Sequence, residues 1–101
     1  MKQIIKGKRY DTETAKLVAE YSNDLDLGDF SNLEESLYQT QSGKWFIAGS
    51  GGALTKYATT CGGRSSSGES ILPIEASEAL RWLESHKMTE EIEAWFTIAD
   101  A

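Results

Sequence analysis

The sequence predicts a small α+β domain, in which an antiparallel sheet carries three helices in the order β-β-α-β-β-β-α-α. The chain has 101 residues, which is the length of one domain, assigned here to residues 1–101. Hydrophobic residues make up 40% of the chain, enough for one core. Predicted strands and helices do not alternate regularly, and this favours an antiparallel over a parallel sheet.

The first quarter of the chain predicts a hairpin followed by a helix. Residues 3–10 contain two short β-prone runs around a turn at Gly7-Lys8. Asp11 or Thr12 can then cap a helix that extends to about residue 22. Its inward residues recur at spacings of three and four, as an amphipathic helix requires. They are Ala15, Val18, Ala19 and either Tyr21 or Ser22.

The middle of the chain predicts a loop and then two strands. Residues 23–32 are rich in turn formers and show no sustained periodicity. The apolar side chains of this loop, Leu25, Leu27 and Phe30, are expected to anchor it to the core. Residues 34–40 and 44–49 are rich in β-branched or aromatic residues and flank a Gln-Ser-Gly turn. These two segments give the clearest strand signal in the sequence.

The last half of the chain predicts one more strand and two helices. Glycines at 49–52 interrupt the strand pattern, and residues 53–61 fit either a short helix or a turn. Residues 62–70 predict an exposed loop, and residues 70–74 predict a strand that ends at Pro73. Helices are predicted for residues 76–86 and again from Thr89 as N-cap, with Ala99 on its inward face.

Charge is distributed unevenly along the chain, whose net charge is −6. Residues 17–35 hold six acids and no base, and residues 36–68 hold three bases and no acid. A surface with this balance repels phosphate, so direct binding to nucleic acid is not expected. It attracts a basic patch on another protein. Solubility alone is the alternative explanation for such a surface.

The candidate binding residues are acidic. Asp24 and Asp26 lie about 6–7 Å apart on one side if the loop is extended, a spacing that can mimic a phosphate backbone. The alternative is a solvated loop whose leucines pack inward. The first group of candidate partner contacts is Asp24, Asp26, Asp29, Glu34 and Glu35, and the second is Glu90, Glu91 and Glu93.

Catalytic machinery and metal ligands are not evident, so the chain is predicted not to be an enzyme and to need no cofactor. Cys61 is followed by Gly62-Gly63 and Arg64. It could act as a thiolate nucleophile with His86 as its base only if the fold brings the two side chains together. One cysteine and one histidine are too few for a zinc site. Residues 49–56 depart from a phosphate-binding loop because Lys56 follows the threonine. The acids are expected in loops or on polar helix faces.

The sequence shows no membrane span and no secretory h-region, because a charge follows Met1 at once. A single cysteine cannot form an internal disulfide. These features predict a protein of the reducing cytoplasm.

Four segments, at residues 6–15, 37–46, 51–58 and 74–82, resemble a family of small bacterial, phage and mobile-element proteins. They read KGKRYDTETA, LYQTQSGKWF, GGALTKYA and IEASEALRW. The resemblance covers about residues 2–96. Two departures are visible: Gly49-Ser50-Gly51-Gly52 replaces a Gly-Glu-Gly-Gly turn, and Ile74-Glu75 replaces a Leu-Thr helix cap.

The resemblance implies an anti-CRISPR-like inhibitor that occupies the DNA-binding surface of a Cas effector by DNA mimicry. Two other functions remain open from the sequence. One is a housekeeping interaction module or homodimer that uses exposed aromatic residues such as Trp82 and Trp95. The other is a small enzyme built on Cys61.

Overall fold

The computed structural model describes residues 1–26 and 28–101, in which antiparallel β-structure is followed by two helices. The strands are β1 (Lys2–Ile5), β2 (Lys8–Asp11), β3 (Lys16–Ser22), β4 (Leu33–Gln39), β5 (Trp45–Gly51), β6 (Thr59–Cys61), β7 (Arg64–Ser66) and β8 (Gly68–Ile74). The helices are α1 (Ala76–Ser85) and α2 (Thr89–Trp95). The α+β class with antiparallel sheets is therefore confirmed, but the residues that the structure describes form two helices, not three.

A four-stranded sheet in the order β3-β4-β5-β8 is the centre of the fold. Side chains alternate across it, so Trp45 and Ile47 face the helices while Phe46 faces the opposite side. The helix side buries Leu37 and Leu83 completely. On the other side Phe46 packs with Ile71 and with Tyr10 from the β1–β2 hairpin. Both faces of the sheet therefore carry a core.

The two helices pack on one face of the sheet through aromatic and aliphatic side chains. Helix α1 buries Ala79, Trp82 and Leu83. A reciprocal capping box between Glu75 and Glu78 satisfies backbone N–H groups at its start. Helix α2 brings Trp95 and Phe96 to Trp45, with ring centroids 5.8 and 5.3 Å away.

The helix predicted to end at residue 22 is wrong, because residues 16–22 form β3. A β-bulge between Leu17 and Ala19 makes Val18 an extra residue, so that Val18 and Ala19 are both buried. Two adjacent inward residues break the alternation of a strand and imitate helical spacing. The Asp11 carboxylate does accept the backbone N–H of Glu13, and the N–H of Ala15 bonds to the Asp11 carbonyl, but this single turn does not continue as a helix. The predicted order β-β-α-β-β-β-α-α is wrong for this reason and because residues 59–66 add two strands.

The segment from residue 49 to residue 74 contains more β-structure than the sequence predicts. Strand β5 continues to Gly51, and residues 59–66 form the β6–β7 hairpin, which turns at Gly62-Gly63 with φ of +59° and +78°. Every residue in this hairpin is exposed. Strand β8 continues through Pro73, which is tolerated because β8 is an edge strand.

Two details at the helices and turns differ from the prediction. Met88, not Thr89, is the N-cap of α2, and Ala99 is exposed beyond its end. The β1–β2 turn lies at Lys6-Gly7, where both residues have positive φ, one position earlier than predicted. In the described part of the chain, neither helix is long and apolar enough to cross a bilayer.

We expect Leu37→Ala to lower the free energy of unfolding by about 2–5 kcal/mol, because it leaves a cavity in a fully buried site. Leu54→Ala is the matched control, since this side chain is 75% exposed and its truncation should change stability by less than about 0.5 kcal/mol. Urea denaturation followed by tryptophan fluorescence measures both. Equal stability of the two variants would contradict the assigned core.

Candidate partner-binding surface

A buried carboxylate, that of Glu35, joins three parts of the fold. Glu35 lies on β4 and is 4% exposed. The indole N–H of Trp82 in α1 donates to its Oε1 at 3.0 Å. The hydroxyl of Tyr57 donates to Oε2, and the Lys56 ammonium lies 2.7 Å from the same oxygen. Both carboxylate oxygens are therefore satisfied, as a buried charge requires.

These contacts control the protonation of the cluster. Burial by itself raises the pKa of Glu35, but the hydrogen bonds from Lys56, Tyr57 and Trp82 outweigh it and hold the pKa below its ordinary value. Burial and the hydrogen bond to Glu35 raise the pKa of Tyr57 far above that of a free tyrosine. At neutral pH the cluster is therefore a carboxylate held by protonated donors.

Tyr57 reaches Glu35 because the residues around it leave room for its ring. It belongs to a segment we call the bracing loop, residues 52–58. The Tyr57 ring lies directly against Gly49 of β5, where any Cβ would collide with it. This contact explains the glycine inside a strand, which the sequence pattern treats as an interruption.

The bracing loop supports a second loop, the acidic loop, which comprises residues 23–26 and 28–32 of the described chain. The backbone N–H of Gly52 donates to Asn32 at 2.9 Å, and that of Leu54 donates to Phe30 at 2.8 Å. Gly52 also lies so close to the carbonyls of Asp29 and Phe30 that no side chain could be accommodated. The Glu35 cluster thus fixes the bracing loop, which in turn fixes the acidic loop.

Side-chain amides stabilise the acidic loop from within. Asn23 donates to the carbonyl of Ser31 at 2.7 Å, and Asn32 donates to the carbonyl of Leu25 at 2.7 Å. The Asp29 carboxylate accepts the backbone N–H of Ser31 at 2.8 Å. Local bonds of this kind replace regular secondary structure in ordered loops.

The acidic loop presents carboxylates and apolar side chains together. Asp24, Asp26 and Asp29 are all exposed. Phe30 is 67% exposed, and Leu54 on the neighbouring bracing loop is 75% exposed. The expectation that Leu25 and Phe30 anchor the loop to the core is therefore wrong. Polar amides hold the loop instead, and Leu27 lies outside the described residues.

The other predicted contacts occupy different positions. Glu34 is exposed next to the acidic loop, since its register partner on β3 is Ser22. Glu35 points to the opposite face and is buried, so the expectation that every acid lies on the surface is wrong. The second group, Glu90, Glu91 and Glu93, lies on α2, whose Trp95 packs at the far end of the sheet. The structure does not bring the two groups together.

The residues considered for chemistry are dispersed. Cys61 is exposed in the β6–β7 hairpin, paired in register with Arg64. His86 stacks on Tyr21 at 3.9 Å and lies edge-on to Trp82 at 4.6 Å, and burial lowers its pKa. Within residues 1–26 and 28–101, no three His, Cys, Asp or Glu side chains are placed to hold a metal ion. Trp82 is buried and cannot form the exposed aromatic surface of a dimer.

Sequence reasoning did not identify the partners of Glu35 or the exposed apolar residues. Lys56 and Tyr57 follow a glycine-rich segment, and only their contact with a strand 22 residues away gives them a role. One signal was present: six glycines lie between positions 49 and 68, and in the structure four of them, Gly49, Gly51, Gly52 and Gly68, have a neighbouring atom too close for a Cβ. Such glycines indicate a tightly packed loop.

Comparison of this chain with protein-family models, with curated proteins and with solved structures finds no match.

We expect Tyr57→Phe to lower the free energy of unfolding by about 1–3 kcal/mol, because it removes one donor from a buried carboxylate. Tyr38→Phe is the matched control, since in the described part of the chain its hydroxyl makes no hydrogen bond. Chemical denaturation measures both variants. If the two lose equal stability, the hydroxyl of Tyr57 does not hold the bracing loop.

The lowered pKa of Glu35 predicts a specific acid sensitivity. Between the lowered folded-state pKa and the unfolded-state pKa of about 4.5 the folded state binds fewer protons than the unfolded chain, so the stabilisation from Glu35 is complete above about 4.5. This contribution is lost as the pH falls through the lower folded-state pKa. Glu35→Gln should therefore be less stable than the wild type at pH 7, and the difference should shrink in acid. A constant difference across denaturation curves from pH 7 to pH 3 would contradict this.

Proposed function

We propose that this protein is an acidic, non-enzymatic inhibitor that binds a basic, nucleic-acid-binding surface of a bacterial protein complex. One observation carries the proposal: three exposed aspartates lie on a loop that is fixed by hydrogen bonds to the rest of the fold. Exposed carboxylates on a preordered loop can replace phosphates against lysine and arginine side chains.

The fixed geometry of the loop matters for affinity. A flexible acidic segment loses conformational entropy when it binds, whereas a loop already held by Asn23, Asn32 and the bracing loop loses less. Asp24 itself has φ of +60°, a strained value for most residues that asparagine and aspartate tolerate. The loop is thus built to display its carboxylates in one arrangement.

The surface also contains an apolar component. Phe30 and Leu54 are exposed on two hydrogen-bonded loops beside the aspartates. Aromatic side chains at the centre of an interface typically supply most of its binding energy, while charges at the rim speed association. The expected partner surface therefore carries lysines and arginines around an apolar area.

The absence of a reaction is part of the proposal. Among the described residues the one buried carboxylate, Glu35, has both oxygens occupied by Trp82, Tyr57 and Lys56, which is the arrangement of a structural charge. The resemblance that the sequence suggests to small phage and mobile-element proteins makes a Cas effector the first partner to test, in the cytoplasm of the host cell. The protein would then act as a DNA mimic of the anti-CRISPR type.

We expect Asp24→Asn/Asp26→Asn/Asp29→Asn to bind such an effector about tenfold or more weakly at low salt, chiefly through slower association. Asparagine preserves the turn geometry at Asp24 and Asp29, so the fold is retained. Glu90→Gln/Glu91→Gln/Glu93→Gln removes the same charge from α2 and is the matched control. Surface plasmon resonance against purified, guide-loaded Cas effectors measures the association rates.

DNA-binding assays with the same effectors test the inhibition itself. The wild-type protein should displace target DNA from at least one effector, and raising the salt should weaken this effect. If the two triple variants lose the same affinity for the effector, net charge and not the acidic loop determines binding. Failure to displace DNA from any effector of the panel would overturn the anti-CRISPR assignment.

A further inference from the structure

A depression of about 410 Å³ lies between the β1–β2 hairpin, the start of β5 and the start of α1. We call it the lysine pocket. Its apolar lining comes from Ile5, Tyr10, Trp45, Pro73 and Ile74. An apolar cavity of about 150 Å³ already admits benzene, so this pocket has room for a phenyl ring. Open apolar depressions of this size are typical of binding sites.

Lysines surround one side of the pocket. Lys6 and Lys8 come from the β1–β2 hairpin and Lys44 precedes β5. The single ion pair in the described part of the chain is that of Lys56 with Glu35, so these three ammonium groups have no carboxylate within 4 Å there. Glu75 and Glu78 line the other side, but their carboxylates accept backbone N–H groups in the capping box of α1. The positive charge is therefore only partly compensated.

The opposite end of the sheet carries the complementary features. Phe30 is 67% exposed on the acidic loop, which also carries the exposed Asp24, Asp26 and Asp29. Gly51, which hydrogen-bonded neighbours place beside the acidic loop, is the last residue of β5. Trp45, which lines the lysine pocket, is the first residue of the same strand. Six residue steps along β5 separate the two ends by about 20 Å. A molecule cannot insert its own Phe30 into its own pocket.

We propose that Phe30 of one copy of this protein inserts into the lysine pocket of a second copy. The aspartates of the acidic loop then approach Lys6, Lys8 and Lys44 of the second copy, and the ring contacts Tyr10 and Trp45. Such a head-to-tail contact joins two different surfaces, so it builds short chains that either extend or close into a ring. Because it occupies the acidic loop, it competes with the partner proposed above. It does not depend on that partner, and either proposal can fail alone.

The contact is small, so it should be weak and sensitive to salt. One phenyl ring and a few partly exposed charge pairs must offset the loss of translational and rotational freedom. We therefore expect monomers at micromolar concentration and association at millimolar concentration and low salt. High salt should dissociate the chains, since the charges lie at the surface.

Sedimentation velocity with two disabled variants tests the contact. Phe30→Ser removes the inserted ring, and Lys8→Glu/Lys44→Glu reverses the charge of the pocket. Each variant alone should remain monomeric at millimolar concentration. An equimolar mixture should form a 1:1 dimer that cannot extend, because one variant keeps the pocket and the other keeps the ring. Recovery on mixing excludes misfolding as the reason for monomeric behaviour.

Matched controls change equivalent surface residues elsewhere. Ile98→Ser removes another exposed apolar side chain, and Lys2→Glu/Lys87→Glu reverses two lysines outside the pocket. Both controls should associate like the wild type. A wild-type protein that stays monomeric at millimolar concentration and low salt overturns the inference. So does a mixture of the disabled variants that contains only monomers.

Discussion

The buried charge of Glu35 is the constraint on which the rest of the structure depends. A carboxylate inside a protein is stable only when its oxygens are occupied by donors with good geometry. Here the donors come from two neighbours of β4 in space: α1, through Trp82, and the bracing loop, through Tyr57 and Lys56. The need to satisfy one charge thereby fixes the position of a helix and of a loop relative to the sheet.

The same constraint extends to the surface. The bracing loop, held by Tyr57, is bonded through Gly52 and Leu54 to Asn32 and Phe30 of the acidic loop. A connected path of hydrogen bonds therefore leads from a buried carboxylate to exposed carboxylates. The buried one stabilises the fold, and the exposed ones are available for recognition. The buried and the exposed groups are both carboxylates, so their different roles follow from their different exposure to solvent.

The sequence predicted the features that depend on local patterns, including the first hairpin, the 34–49 strand pair and α1. It failed at β3, where the bulge at Val18 makes a strand resemble a helix, and at Thr89, where Met88 supplies the N-cap. It also identified the acidic loop, but not that Phe30 is exposed or that Glu35 is buried. Those properties depend on contacts between residues such as Glu35 and Trp82, 47 positions apart, which no local pattern encodes.

The two edges of the central sheet have a consequence for how other chains can attach. Strand β3 carries a bulge, and strand β8 carries Pro73, which has no N–H to donate. Both features oppose the addition of a further strand, which needs a regular row of free donors and acceptors. The backbone of the sheet is thus protected from amyloid-like extension. Recognition is left to side chains on loops, where a single substitution can change the specificity without disturbing the sheet.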